Sequence, residues 1–296
     1  MTGSHSSALD TAYGKSLRQP LTPPCVLVFS GSDPSGGAGL QADITAIAGL
    51  GAHPMSVVTV LTVQDNQRVF GVYPVAADLV HQQAQVLVDR IEISAVKLGI
   101  VGNRANAEVI AAIVRQLRVR QPDLPVVFDP VLANGAGESL STEDPVAALA
   151  PLFALATVIT PNRIEVNRLC PTGCGEDNSP DVQSQQLLAR GCQNVLLKGG
   201  HGPELDHVLN RWYTPNHQQS WRWPRLSGEF HGSGCTLAAA LAALLARGMP
   251  MEQAIAAAQT YCQQALTASY AIADGQRIPN RLTPDWWRNI GATVMP

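Results

Sequence analysis

The sequence has no apolar run long enough to cross a bilayer. The longest, at 237–246, stops at Arg247 after about 10 residues, where about 20 are needed. Charge of one sign is also missing. A formal net charge of −3 and 15% charged residues give no electrostatic ground for a nucleic acid or an anionic membrane as partner. The opening MTGSHSSALDTAYGKSLRQPLTPP lacks the apolar stretch of a secretory signal, so residues 1–22 read as a loose tail ahead of a single domain over 23–296. The six cysteines make no zinc pattern: Cys170 and Cys174 are the only near pair, with no second pair and no nearby histidine. Without an export signal they read as free thiols in a reducing cytoplasm. No linker rich in Gly or Ser divides the chain, and no repeat appears.

What is present is ample core material, 46% apolar, arranged in alternating short β-rich and helix-period runs. CVLVF (25–29), SVVTVLTV (56–63), AVKLGIV (95–101), PVVFD (125–129), ATVIT (156–160) and NVLLK (194–198) read as strands. Helical spacing recurs from Leu40 to Leu50, from Val109 to Leu117, near 143–155 and near 182–190. The aromatic stretch 207–223 reads as a hairpin, and two Ala-rich helices follow at about 233–246 and 251–271. Such alternation predicts an α/β fold with a mainly parallel sheet covered by helices on both faces. Ligands then bind beyond the carboxyl ends of the strands. This directs attention to 30–39, 64–68, 129–138, 160–165, 198–203 and 227–235.

Gly232-Ser233-Gly234-Cys235 opens a helix. Glycines allow the tight turn, and the first amides of a helix have no internal partner, so the turn suits the charge of a phosphoryl group in transfer. The same field is expected to lower the pKa of the Cys235 thiol. A glycine-flanked cap over a buried thiol has the same spacing. In FSGSDPSGGAGLQAD (29–43) the Gly-Lys-Ser/Thr ending of a P-loop is missing. A flexible loop ending in Asp43 can hold a polar ring through its carboxylate, or Asp43 can simply be solvated. Gly37 to Ala42 formally fits the dinucleotide pattern but starts too far past the strand. Asn162 and Glu165, three apart at a helix start, can face one site and serve a hard cation such as Mg²⁺, or can cap the helix. Asp129 and Lys198 stand at strand ends, where they suit metal and phosphate. His231 reads as a structural hydrogen-bonder, and Trp286-Trp287 as docking the tail. Together these features describe phosphoryl transfer from a Mg²⁺-bound nucleotide, which is mostly positioning and charge stabilisation.

GSDPSGGAGLQAD (31–43), VQDN (63–66), KLG (97–99), DP (129–130), TPNRIE (160–165), LLKGGH (196–201) and HGSGCTLAAALAA (231–243) occur in the order found in hydroxymethylpyrimidine and phosphomethylpyrimidine kinases. The chain resembles this family over about residues 25–275. The resemblance implies a ribokinase-like fold and an ATP- and Mg²⁺-dependent kinase of thiamine biosynthesis, cytoplasmic and homodimeric. It implies that Cys235 is the catalytic residue and that Gly232, Ser233, Gly234 and Cys235 form the anion hole. It further implies that Asp43 and Gln64 hold an aminopyrimidine ring lined by Gly31, Ala38 and Val131. Asp129, Asn162 and Glu165 fall on the magnesium–phosphate side, and Lys198 at the nucleotide phosphates. The chain departs from the family at LANGAG (132–137), where Met-Val-Ala-Lys-Ser-Gly is usual, at Ile100, where methionine is usual, and at LSGEF (226–230). The rival readings are a pyridoxal-type kinase, a non-catalytic pyrimidine binder and, more remotely, an NAD-dependent oxidoreductase.

Overall fold

The computed structural model describes residues 22–132, 144–171, 178–202 and 204–282. The expected tail up to residue 21, Cys174, residues 133–137 of the altered segment and the Trp286-Trp287 pair lie outside them. The chain begins with β1 (Cys25–Ser32), α1 (Gly39–Gly49), β2 (His53–Gln64), β3 (Val69–Pro74) and α2 (Ala77–Val88). It continues through β4 (Ala95–Leu98), α3 (Arg104–Arg120), β5 (Val126–Phe128), α4 (Pro145–Phe153), β6 (Val158–Ile159) and α5 (Arg163–Leu169). Then come α6 (Pro180–Ala189), β7 (Val195–Leu197), β8 (His207–Tyr213), β9 (Gln218–Pro224), α7 (Ser233–Ala246) and α8 (Met251–Thr267).

The strands form one sheet in the order β3-β2-β1-β4-β5-β6-β7-β8-β9. From β2 to β7 every pairing is parallel, while β3, β8 and β9 are added antiparallel at the edges. The expected α/β architecture is therefore present, and the 207–223 stretch is the expected hairpin, β8–β9. The strand order turns at β1, with β2 on one side and β4 on the other. In a parallel sheet that reversal opens a crevice at the carboxyl ends of the strands.

Strand alternation divides the core into two layers. Leu27, Phe29, Val96, Leu98, Val126 and Phe128 pack with α2 to α6 on one face. Val26, Val28, Ala95, Val127, Val158 and Leu196 pack with α1, α7 and α8 on the other. The Ala-rich composition of α7 follows from this position. Cys235 through Leu244 are all buried, and small side chains let the helix lie close to the sheet, α1 and α8 at once.

Two elements were not read from the pattern, and one ended early. β3 is an edge strand with mostly exposed or half-buried side chains and internal Gly71. In α2 only Val80, Ala84 and Val88 are buried, too narrow a stripe to stand out. α8 stops at Thr267 and not 271, because Tyr270 leaves to exchange backbone hydrogen bonds with Ile278.

Asn106, fully buried in α3, donates through Nδ2 to the carbonyls of Thr59, Val75 and Val101 at 3.1–3.2 Å. It joins the loop after β4 to β2 and to the link between β3 and α2. Asn106→Ala should lower stability by about 2–3 kcal/mol, the order expected when buried carbonyls lose their donor. Urea unfolding midpoints check this.

Candidate active site

Strand periodicity assembles the floor of the site. Val127, Val158 and Leu196 face the α7 side of the sheet, so Asp129, Thr160 and Lys198, two positions further on, emerge on that same side. They meet there. Lys198 Nζ lies 2.7 Å from Asp129 Oδ1, and Thr160 Oγ1 donates to the same oxygen at 3.1 Å. Glu165 Oε2 stands 3.9 Å from Lys198 Nζ. Burial disfavours the Lys198 ammonium, but Asp129 and Glu165 outweigh it and hold its pKa above the ordinary lysine range.

Asn162 caps α5 and Glu165 is the third residue of that helix. Asn162 Oδ1 accepts from the Glu165 amide at 2.9 Å, and Glu165 Oε2 accepts from the Asn162 amide at 2.7 Å. Both readings of this pair hold at once: it is a reciprocal capping box, and both residues line the cavity. The cap commits the Asn162 oxygen and leaves its NH₂ group for a ligand. Burial raises the Glu165 carboxyl to about 7.

The turn before α7 closes the floor from above. Gly232 is left-handed at φ 79°, and Ser233 begins the helix. A Cβ on Gly234 would lie 2.9 Å from Lys198 Nζ, so the first turn of α7 rests directly on the Lys198–Asp129 pair. Ser233, Gly234 and Cys235 line the cavity, and amides in this position have no helical acceptor.

The loop after β1 is held by Asp33. Its carboxylate accepts from Ser35 N and Oγ, both at 2.8 Å, from Ala38 N at 2.6 Å and from His231 Nε2 at 2.9 Å. Burial alone would raise its pKa, but hydrogen bonds from His231, Gln64 and Ser35 keep it well below the usual carboxylate range. A Cβ on Gly37 would meet His231 Cδ2 at 2.1 Å. That glycine is a packing contact between loops, and Gly39, the glycine a dinucleotide pattern leaves open to pyrophosphate, is backed by the Gly31 carbonyl oxygen, 2.3 Å from where its Cβ would lie. Arg281, 4% exposed, bridges the same two loops. It donates to the Gly37 and Gly232 carbonyls through Nη2, and to Thr236 Oγ1 through Nε at 2.9 Å.

These elements enclose a cavity of about 560 Å³, within the usual size of a small-molecule site. Gly31, Ala38, Gln64, Val131, Asp129, Asn162, Glu165, Lys198 and the 232–235 turn all line it. Elsewhere in its wall, Gln259 Oε1 accepts from Trp223 Nε1 at 2.9 Å and from Asn210 Nδ2 at 2.8 Å, tying the hairpin to α8.

Two expectations need correction. Asp43 does not hold a ring: it lies inside α1, fully buried, with Oδ2 2.8 Å from Lys97 Nζ. Lys97 reaches it because it continues the inward face begun by Ala95. The Cys235 thiol is not lowered but raised to about 11. Burial is the largest cause, and the neighbouring Lys97 ammonium recovers only part of it. A helix terminus lowers a thiol pKa when the sulfur keeps solvent or a direct donor, and this one is 8% exposed. Asp33, Lys97 and Arg281 carry structural duties the sequence reading did not assign. Asp33 sits within a quoted motif, whereas no local pattern marks Arg281.

Residues 33–280 match the sequence profile of a family described as phosphomethylpyrimidine kinase. The chain is 36% identical over 263 residues to the hydroxymethylpyrimidine/phosphomethylpyrimidine kinase of Streptomyces coelicolor, covering 86% of this chain and 93% of the relative. The pyridoxal kinase of Staphylococcus aureus, solved with AMP-PCP and pyridoxal, superposes with a TM-score of 0.76 at 25% identity, over 89% of this chain and 95% of that one. The phosphomethylpyrimidine kinase of Clostridium difficile 630 gives 0.68 at 26% identity, over 82% of this chain and 99% of that one.

A thiol with a pKa near 11 is protonated at neutral pH. Alkylation of Cys235 by iodoacetamide, followed on its peptide by mass spectrometry, should be slow at pH 7 and climb steadily to about pH 11. A rate that levels off below pH 8 would contradict this environment.

Proposed function

The chain belongs to the phosphomethylpyrimidine kinase family, and from that premise we propose how its site works. The protein is a phosphotransferase of thiamine biosynthesis. It moves a phosphoryl group from ATP to 4-amino-5-hydroxymethyl-2-methylpyrimidine, to its monophosphate, or to both. The ribokinase-like fold expected for it is shared with the solved kinases it superposes on. The pyridoxal reading is not favoured, because the similar sequences are pyrimidine kinases by name.

The observation that carries the mechanism is the meeting of the α7 amides with Asp129 and Lys198 at one cavity wall. The amides of Ser233, Gly234 and Cys235 receive the equatorial oxygens of the migrating phosphoryl. Lys198, kept charged by its carboxylates, steadies the nucleotide phosphates. The acceptor oxygen attacks the γ-phosphorus in line, the bond to ADP breaks, and the proton of an attacking hydroxyl leaves through the phosphate oxygens to solvent. Cys235, protonated and beside the amides, positions the attacking hydroxyl and is not a ready thiolate base. Gln64, with Gly31, Ala38 and Val131, surrounds the pyrimidine ring.

Asp129 and Glu165 fit a hard divalent cation. They supply two carboxylates at one wall, and Mg²⁺ keeps most of its waters and needs few protein ligands. Bound there, it would neutralise charge on the phosphates. Among the described residues no larger cluster of His, Cys, Asp and Glu could hold a metal. We place the protein in the cytoplasm, in keeping with the unpaired thiols among the described residues, none of whose helices is long and apolar enough to cross a membrane. Nothing in the charge balance recommends a nucleic acid as partner. A homodimer is supported by the outer edge of the sheet, where Leu61, Val63 and Tyr73 share one face of β2–β3 and are 52–59% exposed.

ADP release is measured with the pyrimidine alcohol, its monophosphate and pyridoxal as separate acceptors. Cys235→Ala should lower kcat by at least about 10²-fold while ATP binding persists; unchanged turnover removes Cys235 from the mechanism. Leu61→Glu with Val63→Glu should convert the dimer to a monomer by light scattering.

A further inference from the structure

Arg281, 4% exposed, carries a charge that no acid balances among the described residues. Its acceptors are the Gly37 and Gly232 carbonyls and Thr236 Oγ1, all neutral. The buried Asp43 is claimed by Lys97 at 2.8 Å. An unpaired buried cation is costly, and the position of this one adds a second cost. Gly232 is the N-cap of α7, and a Cβ there would lie 2.9 Å from Arg281 Nη2. The guanidinium therefore stands against the positive end of the helix dipole, where a cation is disfavoured. Both costs fall when an anion occupies the turn. The contact also has a direction. Gly232 O accepts from Thr236 N at 2.9 Å and from Thr236 Oγ1 at 2.8 Å, besides Arg281. That carbonyl and the Ser233 amide share one trans peptide plane and point opposite ways. Holding the carbonyl back thus holds the Ser233 N–H forward, at the cavity wall.

We propose that Arg281 is a positioning residue for phosphoryl transfer: its buried charge, applied through the Gly232–Ser233 peptide, favours the negative charge on the phosphoryl oxygens while the group passes from ATP to the acceptor. Arg281 is not part of the cavity lining, so it acts through the turn and not on the substrates directly. The proposal rests on the phosphoryl-transfer reading. It sets one cation behind the amides, where Lys198 stands in front of them.

The test uses the full chain and measures Kd by calorimetry for ADP alone and for ADP with aluminium fluoride and the pyrimidine alcohol, which imitates the phosphoryl group in transit. Arg281→Met keeps the stem and removes the charge and the donors. It should weaken the fluoride complex about tenfold relative to ADP alone and lower kcat by a similar factor, with both KM values within about twofold. Arg281→Lys keeps the charge and should return the ratio of the two Kd values to within about threefold of the unmodified protein. The ratio is read on folded protein, so lost stability alone leaves it unmoved. If Arg281→Met does not fold, Thr236→Val, which cuts the link from Nε to the Gly232 carbonyl, should shift the same ratio about threefold. A ratio unmoved in Arg281→Met while its melting temperature drops overturns the proposal and marks Arg281 as a structural clamp. So does an Arg281→Lys variant that behaves as Arg281→Met. If the unmodified protein releases no ADP with any acceptor, the phosphoryl-transfer reading itself is what fails.

Discussion

The site depends on one close approach. A Cβ on Gly232 would lie 2.1 Å from the Gly37 carbonyl oxygen and 2.9 Å from Ala38 Cα. No residue with a side chain can stand there. Because nothing does, the loop after β1 and the start of α7 touch backbone to backbone, and substrate and phosphoryl groups can be met by one continuous wall. The left-handed φ of Gly232 then turns the next amides toward the strand ends. His231 and Arg281 close the same seam from either side, the first through Asp33 and the second through the Gly37 and Gly232 carbonyls.

Beneath that seam lie charges that a hydrophobic core ordinarily excludes. Lys97 and Asp43 are both fully buried, and Asp129 and Lys198 nearly so. A buried ion pair is weak evidence for stability, since desolvation consumes most of the attraction. The value of these pairs is in placement. Lys97 stays charged because Asp43 and the more distant Asp129 outweigh the cost of burial, and its field reaches the Cys235 sulfur. The site is thus backed by fixed charge that needs no reorganisation when a phosphoryl group arrives.

The sequence made the central sheet readable because each inner strand is a short, continuous apolar run bounded by turn residues. It made Asp129 and Lys198 legible for the same reason, since both follow such runs directly. Residues whose role depends on a distant partner were not legible. Asp43 looked like a loop carboxylate until Lys97, 54 positions away, was seen to claim it. The thiol of Cys235 sits where a helix dipole should acidify it, yet the depth of burial that reverses the effect belongs to the whole packing and not to the turn. β3 and α2 escaped notice because they bury too little to leave a period.

The Arg281 contact with Gly37 spans 244 residues. A chain emerging from the ribosome can form β1, β2 and the Asp33 turn early, but the bridge that locks this turn to α7 must wait for one of the last described residues. Both halves of the seam are then present yet unfastened through most of synthesis. The catalytic wall is therefore completed late, after the sheet that supports it is already in place.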